Sequence, residues 1–309
     1  MRFSLQLPVD RADPGREFHT PHGIAEMAAA IERAGFDACW VTDHPAPTAE
    51  WLSTGGHQTL DPFVALSFAA AATTTLRLHT NAYIPAYRSP FVSAKAAATL
   101  DVLSGGRLIL GVAAGYLEGE FDALGVPFKG RGRLLDDAIR LMKLAWQGEE
   151  IREDGAGWTA SGNVVLPAPV SKPHPPIWIG GNSRAAMRRA VALGDGWMPF
   201  PAPRRLAAAV GTEAIGGMDD LRRKLRDLAE LSAAERRDRP LDINFQSFTH
   251  PHGKDRFDPR RFAEEVAELA EIGVTWMSVH LPAPSRAAFL DNVARFGDQA
   301  LAVANGKKQ

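Results

Sequence analysis

Eight short apolar runs, separated by amphipathic helical stretches, limit most strongly how this 309-residue chain can fold. Several runs are apolar at nearly every position, as expected for strands covered on both faces. Alternation of such strands with helices predicts a parallel sheet with right-handed crossovers. The runs are Phe3–Leu7, Ala38–Thr42, Leu76–Asn81, Leu108–Ala113, Ile177–Ile179, Gly196–Pro199, Ile243–Phe248 and Val274–His280.

The stretches between the runs carry apolar residues at spacings of three and four, which places them on one helix face. Leu135, Ile139, Met142 and Trp146 are an example. Eight units without an obvious break favour closure into a (β/α)8 TIM barrel over an open doubly wound sheet. We therefore predict one α/β domain covering residues 1–309.

Two segments exceed what a minimal barrel needs. One covers about residues 152–176 and is rich in Gly, Pro, Ser and Trp, and the other covers about residues 199–242. We interpret both as insertions, because neither holds enough apolar residues for a core of its own. Within the second, the charged stretch from Asp219 to Arg239 is expected to form an exposed pair of helices.

The charge balance gives no support for binding to nucleic acid or to a membrane surface. The chain has 35 basic and 36 acidic residues and no long basic run. No stretch approaches the roughly 18 apolar residues of a membrane span, and the N-terminus does not resemble a signal peptide. The single cysteine, Cys39, excludes an intrachain disulfide and suits a reducing compartment. We expect a cytoplasmic protein.

The active site of such a barrel lies at the carboxyl ends of its strands, so the residues after each run are candidates. Asp43 and His44 follow the second run, where they can orient a cofactor or move protons. An N-cap or a loop ion pair is the alternative explanation. Thr80 and Asn81 end the third run and Ala82 follows it, where small residues allow a flat ring to approach the backbone or simply form a loop.

Small residues also follow the fourth and fifth runs. Gly115 and Tyr116 follow the fourth, where loss of side-chain bulk indicates a ligand or tight packing. Gly180, Gly181 and Asn182 follow the fifth and lead into a helix. The free amides and the dipole of a helix N-terminus favour an anion, so we expect the phosphate of a cofactor there. An ordinary helix cap is the alternative.

The seventh run is followed by a His-x-His pair, His250 and His252. Such a pair is compatible with a metal-dependent barrel hydrolase, but no matching third or fourth ligand is evident. We therefore expect no metal, and we interpret His250 as part of the wall of a substrate pocket.

Three motifs carry a family resemblance: Ala38–His44, the segment Ala97–Arg107 followed by Glu120–Gly125, and Pro175–Gly181. They resemble the luciferase-like monooxygenases, especially the branch that depends on coenzyme F420. The resemblance is clear from the N-terminus to about Pro199 and weakens through the second insertion.

This resemblance implies an oxidoreductase that binds F420, or alternatively FMN, at the carboxyl end of the barrel and acts on a small organic substrate. It implies a non-proline cis peptide between Asn81 and Ala82, behind the cofactor ring. It also implies that Asp43 and His44 lie near the ring, with His44 as a proton relay. The other implied cofactor contacts are Gly115 beside the cofactor and Gly180, Gly181 and Asn182 on its phosphate.

The chain departs from the F420-dependent sugar-phosphate dehydrogenases in two places. Tyr116 stands where those enzymes have a glutamate, which leaves open whether Tyr116, Glu118 or neither of them is the acid. The tryptophan expected shortly after the Asp-His pair is absent, since Pro47 and Thr48 occupy that stretch. Both departures argue against the same substrate. His44 and Tyr116 are our catalytic candidates.

Several alternatives remain at this level. We favour F420 on similarity, and an FMN-dependent monooxygenase supplied by a separate reductase is the first alternative. A non-catalytic flavin-binding barrel is the second, and a metal-dependent hydrolase is the third. Relatives often form dimers, so a homodimer is also open.

Overall fold

A computed structural model describes residues 1–10, 16–248 and 258–301, and eight parallel strands in it close into one barrel. The strands, in chain order, are β1 (Arg2–Gln6), β2 (Ala38–Val41), β3 (Arg77–Thr80), β4 (Leu108–Val112), β5 (Asp154–Gly155), β6 (Trp158–Thr159), β7 (Ile177–Gly180), β8 (Gly196–Met198), β9 (Asp242–Gln246) and β10 (Trp276–Val279). The order around the barrel is β1-β10-β9-β8-β7-β4-β3-β2, while β5 and β6 form a separate antiparallel hairpin.

The helices surround the barrel as α1 (Pro21–Arg33), α2 (Ala49–Ser53), α3 (Pro62–Ala71), α4 (Pro90–Ser104), α5 (Glu118–Ala123), α6 (Arg131–Ala145), α7 (Arg184–Leu193), α8 (Arg204–Ala209), α9 (Met218–Ala234), α10 (Pro259–Glu271) and α11 (Arg286–Phe296). The short helices α2, α5 and α8 lie in loops that follow strands β2, β4 and β8. They therefore add structure at the carboxyl end of the barrel, where a site is expected.

The prediction of a (β/α)8 barrel is confirmed. Each apolar run of the sequence overlaps one barrel strand, and the ends differ by no more than two residues. Alternate side chains of these strands serve two cores, because successive residues point to opposite faces. Phe3 and Leu5 belong to the large core beneath the helices, whereas Ile109, Trp178 and Trp276 form a separate cluster that we place inside the barrel.

The expected pair of helices between Asp219 and Arg239 is wrong, since one helix, α9, occupies most of that stretch. The sequence from Met218 to Arg239 has no glycine or proline to interrupt a helix. Leu221 and Leu228 are buried, so the helix is not fully exposed either. It packs against α7 and forms the crossover between β8 and β9.

The segment from about residue 152 to 176 contains the β5–β6 hairpin and then runs along α4. Asp101 of α4 anchors it by accepting hydrogen bonds from the backbone N–H and the hydroxyl of Ser171, at 2.9 and 2.8 Å. The boundaries that we gave to the two insertions stay a prediction. Among the helices in the described ranges, none is both long enough and apolar enough to cross a lipid bilayer.

Glu32 ties α1 to the turn that leads into β3. Its carboxylate accepts hydrogen bonds from the backbone N–H groups of Thr74, Thr75 and Leu76, at 2.9, 2.6 and 2.9 Å. Burial alone would raise the pKa of this carboxyl group, but the hydrogen bonds outweigh it and lower the pKa from 4.5 to about 2. The ionised form is therefore stabilised by folding.

We expect Glu32→Gln to lower the free energy of unfolding at neutral pH. A carboxyl group whose pKa is depressed by folding contributes stability above its unfolded value, and that contribution is lost as the pH falls through the folded value. The difference from wild type should therefore be constant above pH 4.5 and shrink as the pH falls toward about 2. Urea denaturation across this range checks it, with the exposed Glu153→Gln as control. A difference independent of pH would contradict the assignment.

Candidate active site

One cavity of about 650 Å³ opens at the carboxyl end of the barrel. Its lining comes from β2, β3, β4, β7, β8, β9 and β10 or the loops that follow them, and its volume is typical of a cofactor or ligand site. Eight predicted site residues line it: Asp43, His44, Asn81, Ala82, Gly115, Tyr116, Gly180 and Gly181. Thr80 and Asn182 are fully buried and do not line it.

The wall after β3 contains a cis peptide bond between Asn81 and Ala82, which confirms the geometry implied by the family resemblance. Both residues face the cavity. The hydroxyl group of Thr80 donates a hydrogen bond to the carbonyl oxygen of Gly111 at 2.8 Å. Thr80 therefore joins β3 to β4 behind this wall. Its hydroxyl proton is used in that bond and is not available to donate to a cofactor.

Asp43 braces the same wall. Its carboxylate accepts two hydrogen bonds from the guanidinium group of Arg88, both at 2.8 Å, and one from the backbone N–H of Ile84 at 3.0 Å. Burial tends to lower the pKa of Arg88, but the hydrogen bonds and charge of Asp43 outweigh it and raise that pKa. The loop ion pair considered for Asp43 is thus present. Its contact with a cofactor stays a prediction.

His44 lies against a buried carboxylate that the sequence did not reveal as part of the site. Its Nδ1 atom is 3.2 Å from Oε2 of Glu120, which is fully buried. The hydroxyl of Tyr87 donates to the same oxygen at 2.9 Å, and the backbone N–H of Ala46 donates to Oε1 at 3.1 Å. The motif Glu120–Gly125 had been noted only for its family resemblance, although Glu120 is the acid that contacts His44.

The acid role considered for Glu118 has no support, because Glu118 is exposed and does not line the cavity. Tyr116 does line it, 6.0 Å from His44 between ring centroids. Burial, followed by the nearby charge of Glu120, raises the pKa of Tyr116 to about 12. The phenol therefore stays protonated at neutral pH and can act as a hydrogen-bond donor.

Two aromatic residues that we did not predict surround the His44 ring. Trp51, from α2, and His57 both lie 4.7 Å from it between ring centroids. Trp51 follows the Asp-His pair a few residues later than the tryptophan expected from the family resemblance, and it contacts His44. Burial and the neighbouring His44 lower the pKa of His57, so its imidazole is neutral at physiological pH. The local sequence signal that could have located Trp51 is Thr48, whose side chain caps the start of α2.

The opposite side of the cavity contains the glycine turn between β7 and α7. Gly181 has a φ of +111°, a conformation that favours glycine, and Ser183 caps α7 by accepting from Ala186 N–H. Ser183 and Ala185 both line the cavity, and their backbone N–H groups have no partner in the described part of the chain. These orphaned amides at a helix N-terminus suit a phosphate group.

Asn182 has no free N–H group for the predicted contact with phosphate. Its side-chain amide donates to the carbonyl oxygens of Phe200 and Glu213, both at 2.9 Å, and its backbone N–H donates to Thr212 at 3.1 Å. The Glu213 carboxylate also accepts from the backbone N–H of Arg184 at 2.9 Å. Asn182 therefore holds the loop after β8 against the start of α7.

Two arginines line the cavity on this side. Arg131, at the start of α6, donates from Nε to the carbonyl oxygen of Gly115 at 3.0 Å and stacks on the Phe128 ring. Arg189 forms an ion pair with Asp136. Arg131 begins α6, whereas Arg189 lies within α7 and its charge is already paired with Asp136. The N-terminal ends of the two helices and the Arg131 guanidinium group favour an anionic ligand at this wall.

His250 lies outside the described residues, so its proposed place in the substrate pocket stays a prediction. Within the described ranges, no group of three metal-ligating side chains is close enough to hold a metal ion. Trp178, Trp197 and Trp276 are fully buried, whereas Trp40 is buried beneath the surface of the cavity and also lines it.

Known proteins resemble this chain in sequence and in fold. It is 29% identical to an uncharacterised protein of Mycobacterium tuberculosis over 90% of this chain and 95% of that protein. It is 34% identical to an F420-dependent glucose-6-phosphate dehydrogenase of Beutenbergia cavernae over 59% of this chain and 53% of the enzyme. It is 31% identical to an FMNH2-dependent dimethylsulfone monooxygenase of Pseudomonas putida over 55% of this chain and 46% of the enzyme. The last two matches span about half of each enzyme.

A similar solved structure is the monooxygenase RslO1 of Streptomyces bottropensis, with a TM-score of 0.78, 19% identity and coverage of 98% of this chain and 99% of that one. At this identity the match shows the fold alone. The family model of the luciferase-like monooxygenases matches residues 1–255, which is most of the chain. The chain belongs to the luciferase-like monooxygenase family.

Proposed function

We propose that this protein is an F420-dependent oxidoreductase that exchanges a hydride with a small organic substrate, with His44 as the proton-transfer group. One observation carries the proposal: a single cavity joins the His44 side of the barrel to the glycine turn before α7. This arrangement suits a phosphorylated redox cofactor that extends from one side to the other. The family includes relatives named for F420 and for FMN.

The residues of the cavity fit such a cofactor. Ala82 has only a methyl side chain, so a flat ring can approach the backbone of the Asn81–Ala82 turn. Gly115 lines the cavity, and packing explains its lack of a side chain, since a Cβ atom there would lie 2.9 Å from the Phe121 ring. The amides of Ser183 and Ala185 suit the phosphate. F420 supplies hydride chemistry when bound, while the protein supplies position, electrostatics and exclusion of water.

The protein groups beside the expected ring position can move a proton. A substrate that loses a hydride from a hydroxyl-bearing carbon must also lose the hydroxyl proton, and the reverse reaction needs a proton donor. His44 suits this role because an imidazole nitrogen can accept or donate a proton and the residue lies at the cavity wall. Tyr116 can donate a hydrogen bond to the same substrate oxygen, since its phenol remains protonated.

The cavity also supports F420 over FMN. Its lining also includes Arg131, Arg189 and the apolar residues Leu206 and Val210. An anionic tail beyond the phosphate would lie near the two arginines. FMN has no such tail and would leave this part of the cavity empty, whereas F420 would fill it. An FMN-dependent monooxygenase with a separate reductase remains the second candidate.

We expect the purified apoprotein to bind F420 more tightly than FMN. Titration with each cofactor, followed through absorbance and fluorescence, measures both dissociation constants. Arg131→Met should weaken the binding of F420 more than that of FMN, because it removes a cation from the tail region. The exposed Arg133→Met is the matched control. Tighter binding of FMN by the wild-type protein would contradict the preference for F420.

We expect His44→Ala to lower kcat by about 10²–10⁴-fold, the usual effect of losing a general acid or base. The dissociation constant of the cofactor should remain close to that of wild type, since the Asn81–Ala82 turn and the amides at the start of α7 are the proposed binding contacts. Steady-state kinetics and cofactor titration measure the two effects, and the exposed His22→Ala serves as control. A wild-type protein without redox activity on any tested cofactor would favour the non-catalytic flavin-binding barrel.

A homodimer and a cytoplasmic location remain proposals. Helices α3 and α4 pack against each other. Their outer faces support the proposal of a dimer. Val64 and Phe68 of α3 and Val92 and Leu103 of α4 are exposed, and α3 contains no charged residue. A surface helix usually carries a polar outer face, so a second copy of the chain is the proposed cover for this one.

A further inference from the structure

We propose that Glu120 is a positioning residue that holds His44 in the tautomer with the proton on Nδ1 and leaves Nε2 as the proton-accepting atom. The kinetic consequence rests on the proposed function, but the tautomer does not. The assignment follows from the contacts around the Glu120 carboxylate, which nothing in the sequence marked as part of the site.

The carboxylate of Glu120 is fixed on both of its oxygens. Oε2 accepts from the Tyr87 hydroxyl at 2.9 Å and lies 3.2 Å from Nδ1 of His44, while Oε1 accepts from the backbone N–H of Ala46 at 3.1 Å. Glu120 is fully buried, and only 9% of the His44 side chain is exposed. The pair therefore has one well-defined arrangement.

The charge state of Glu120 decides which nitrogen carries the proton. Burial tends to raise the pKa of its carboxyl group, but the contacts with His44, Tyr87 and Ala46 outweigh burial and lower that pKa. An ionised carboxylate can only accept hydrogen bonds. The neutral imidazole must therefore donate from Nδ1, because two acceptors would repel each other. Its lone pair is then on Nε2.

This arrangement prepares His44 for proton transfer. When a substrate O–H bond breaks, its proton forms a new N–H bond at Nε2, and the ring becomes an imidazolium. The Glu120 carboxylate, already in contact with Nδ1, stabilises that positive charge without changing its own protonation state. In the reverse direction the same proton returns from Nε2 to the substrate oxygen.

The remaining contacts keep this pair in place. Tyr87 shares Oε2 with His44, and Trp51 and His57 pack against the imidazole ring. The alternative is that Glu120 only braces the loop at Ala46 and the start of α5. A brace would affect stability but would not select a tautomer, so the tautomer distinguishes the two roles.

Glu120→Gln tests the inference, because it removes the charge while nearly preserving shape. Nitrogen-15 spectra of histidine-labelled apoprotein report the tautomer, and loss of one signal in His44→Ala assigns it among the nine histidines. We expect the Nδ1–H form in wild type and a clear shift toward the Nε2–H form in Glu120→Gln. The exposed Glu118→Gln should retain the wild-type spectrum.

The Nε2–H form in the wild-type protein, or an unchanged tautomer in Glu120→Gln, would overturn the inference. If Glu120→Gln does not fold, Tyr87→Phe replaces it: the Nδ1–H form should persist, since Glu120 keeps its charge, and its loss would count against the inference. With turnover established, Glu120→Gln should lower kcat by about 10–100-fold with little change in KM. A wild-type protein with the expected tautomer but no redox activity would defeat the proposed function and leave this inference standing.

Discussion

The closed ring of parallel strands is the constraint on which the whole site depends. Because all eight strands run in the same direction, every loop that follows a strand reaches the same rim of the barrel. His44 and Glu120 are 76 positions apart in the chain and still meet in a hydrogen-bonded pair. Closure also separates the core beneath the helices from the side chains inside the barrel. The side chains packed inside the barrel can therefore form the bottom of the cavity.

The rim divides its functions between two sides. The loops after β2, β3 and β4 carry groups that can move or hold protons, and the ion pair between buried Asp43 and half-buried Arg88 stabilises the wall at Asn81–Ala82. The start of α7 carries free backbone amides, and Arg131 of α6 and Arg189 of α7 line the same part of the cavity, which suits an anion. A cofactor with a redox ring at one end and a phosphate at the other matches this division. Its ring would lie beside the groups that move protons, and its phosphate would lie beside the free amides.

The strand pattern predicted the barrel well because strands covered on both faces must be apolar along their length. The glycine turns and the Asp-His pair were also identified, since strand exits in a barrel share one rim. The sequence could not reveal Glu120 or His57 as neighbours of His44, because their contacts depend on how the loops pack. It also suggested a phosphate contact for Asn182, whose N–H groups are instead used to hold the loop after β8.

A crystal structure of the complex with F420 tests the central claim most directly. The account predicts that the ring lies against the Asn81–Ala82 turn on the side facing His44, and that the phosphate accepts hydrogen bonds from the amides of Ser183 and Ala185. A cofactor bound outside this cavity, or with its phosphate directed away from the start of α7, would contradict it.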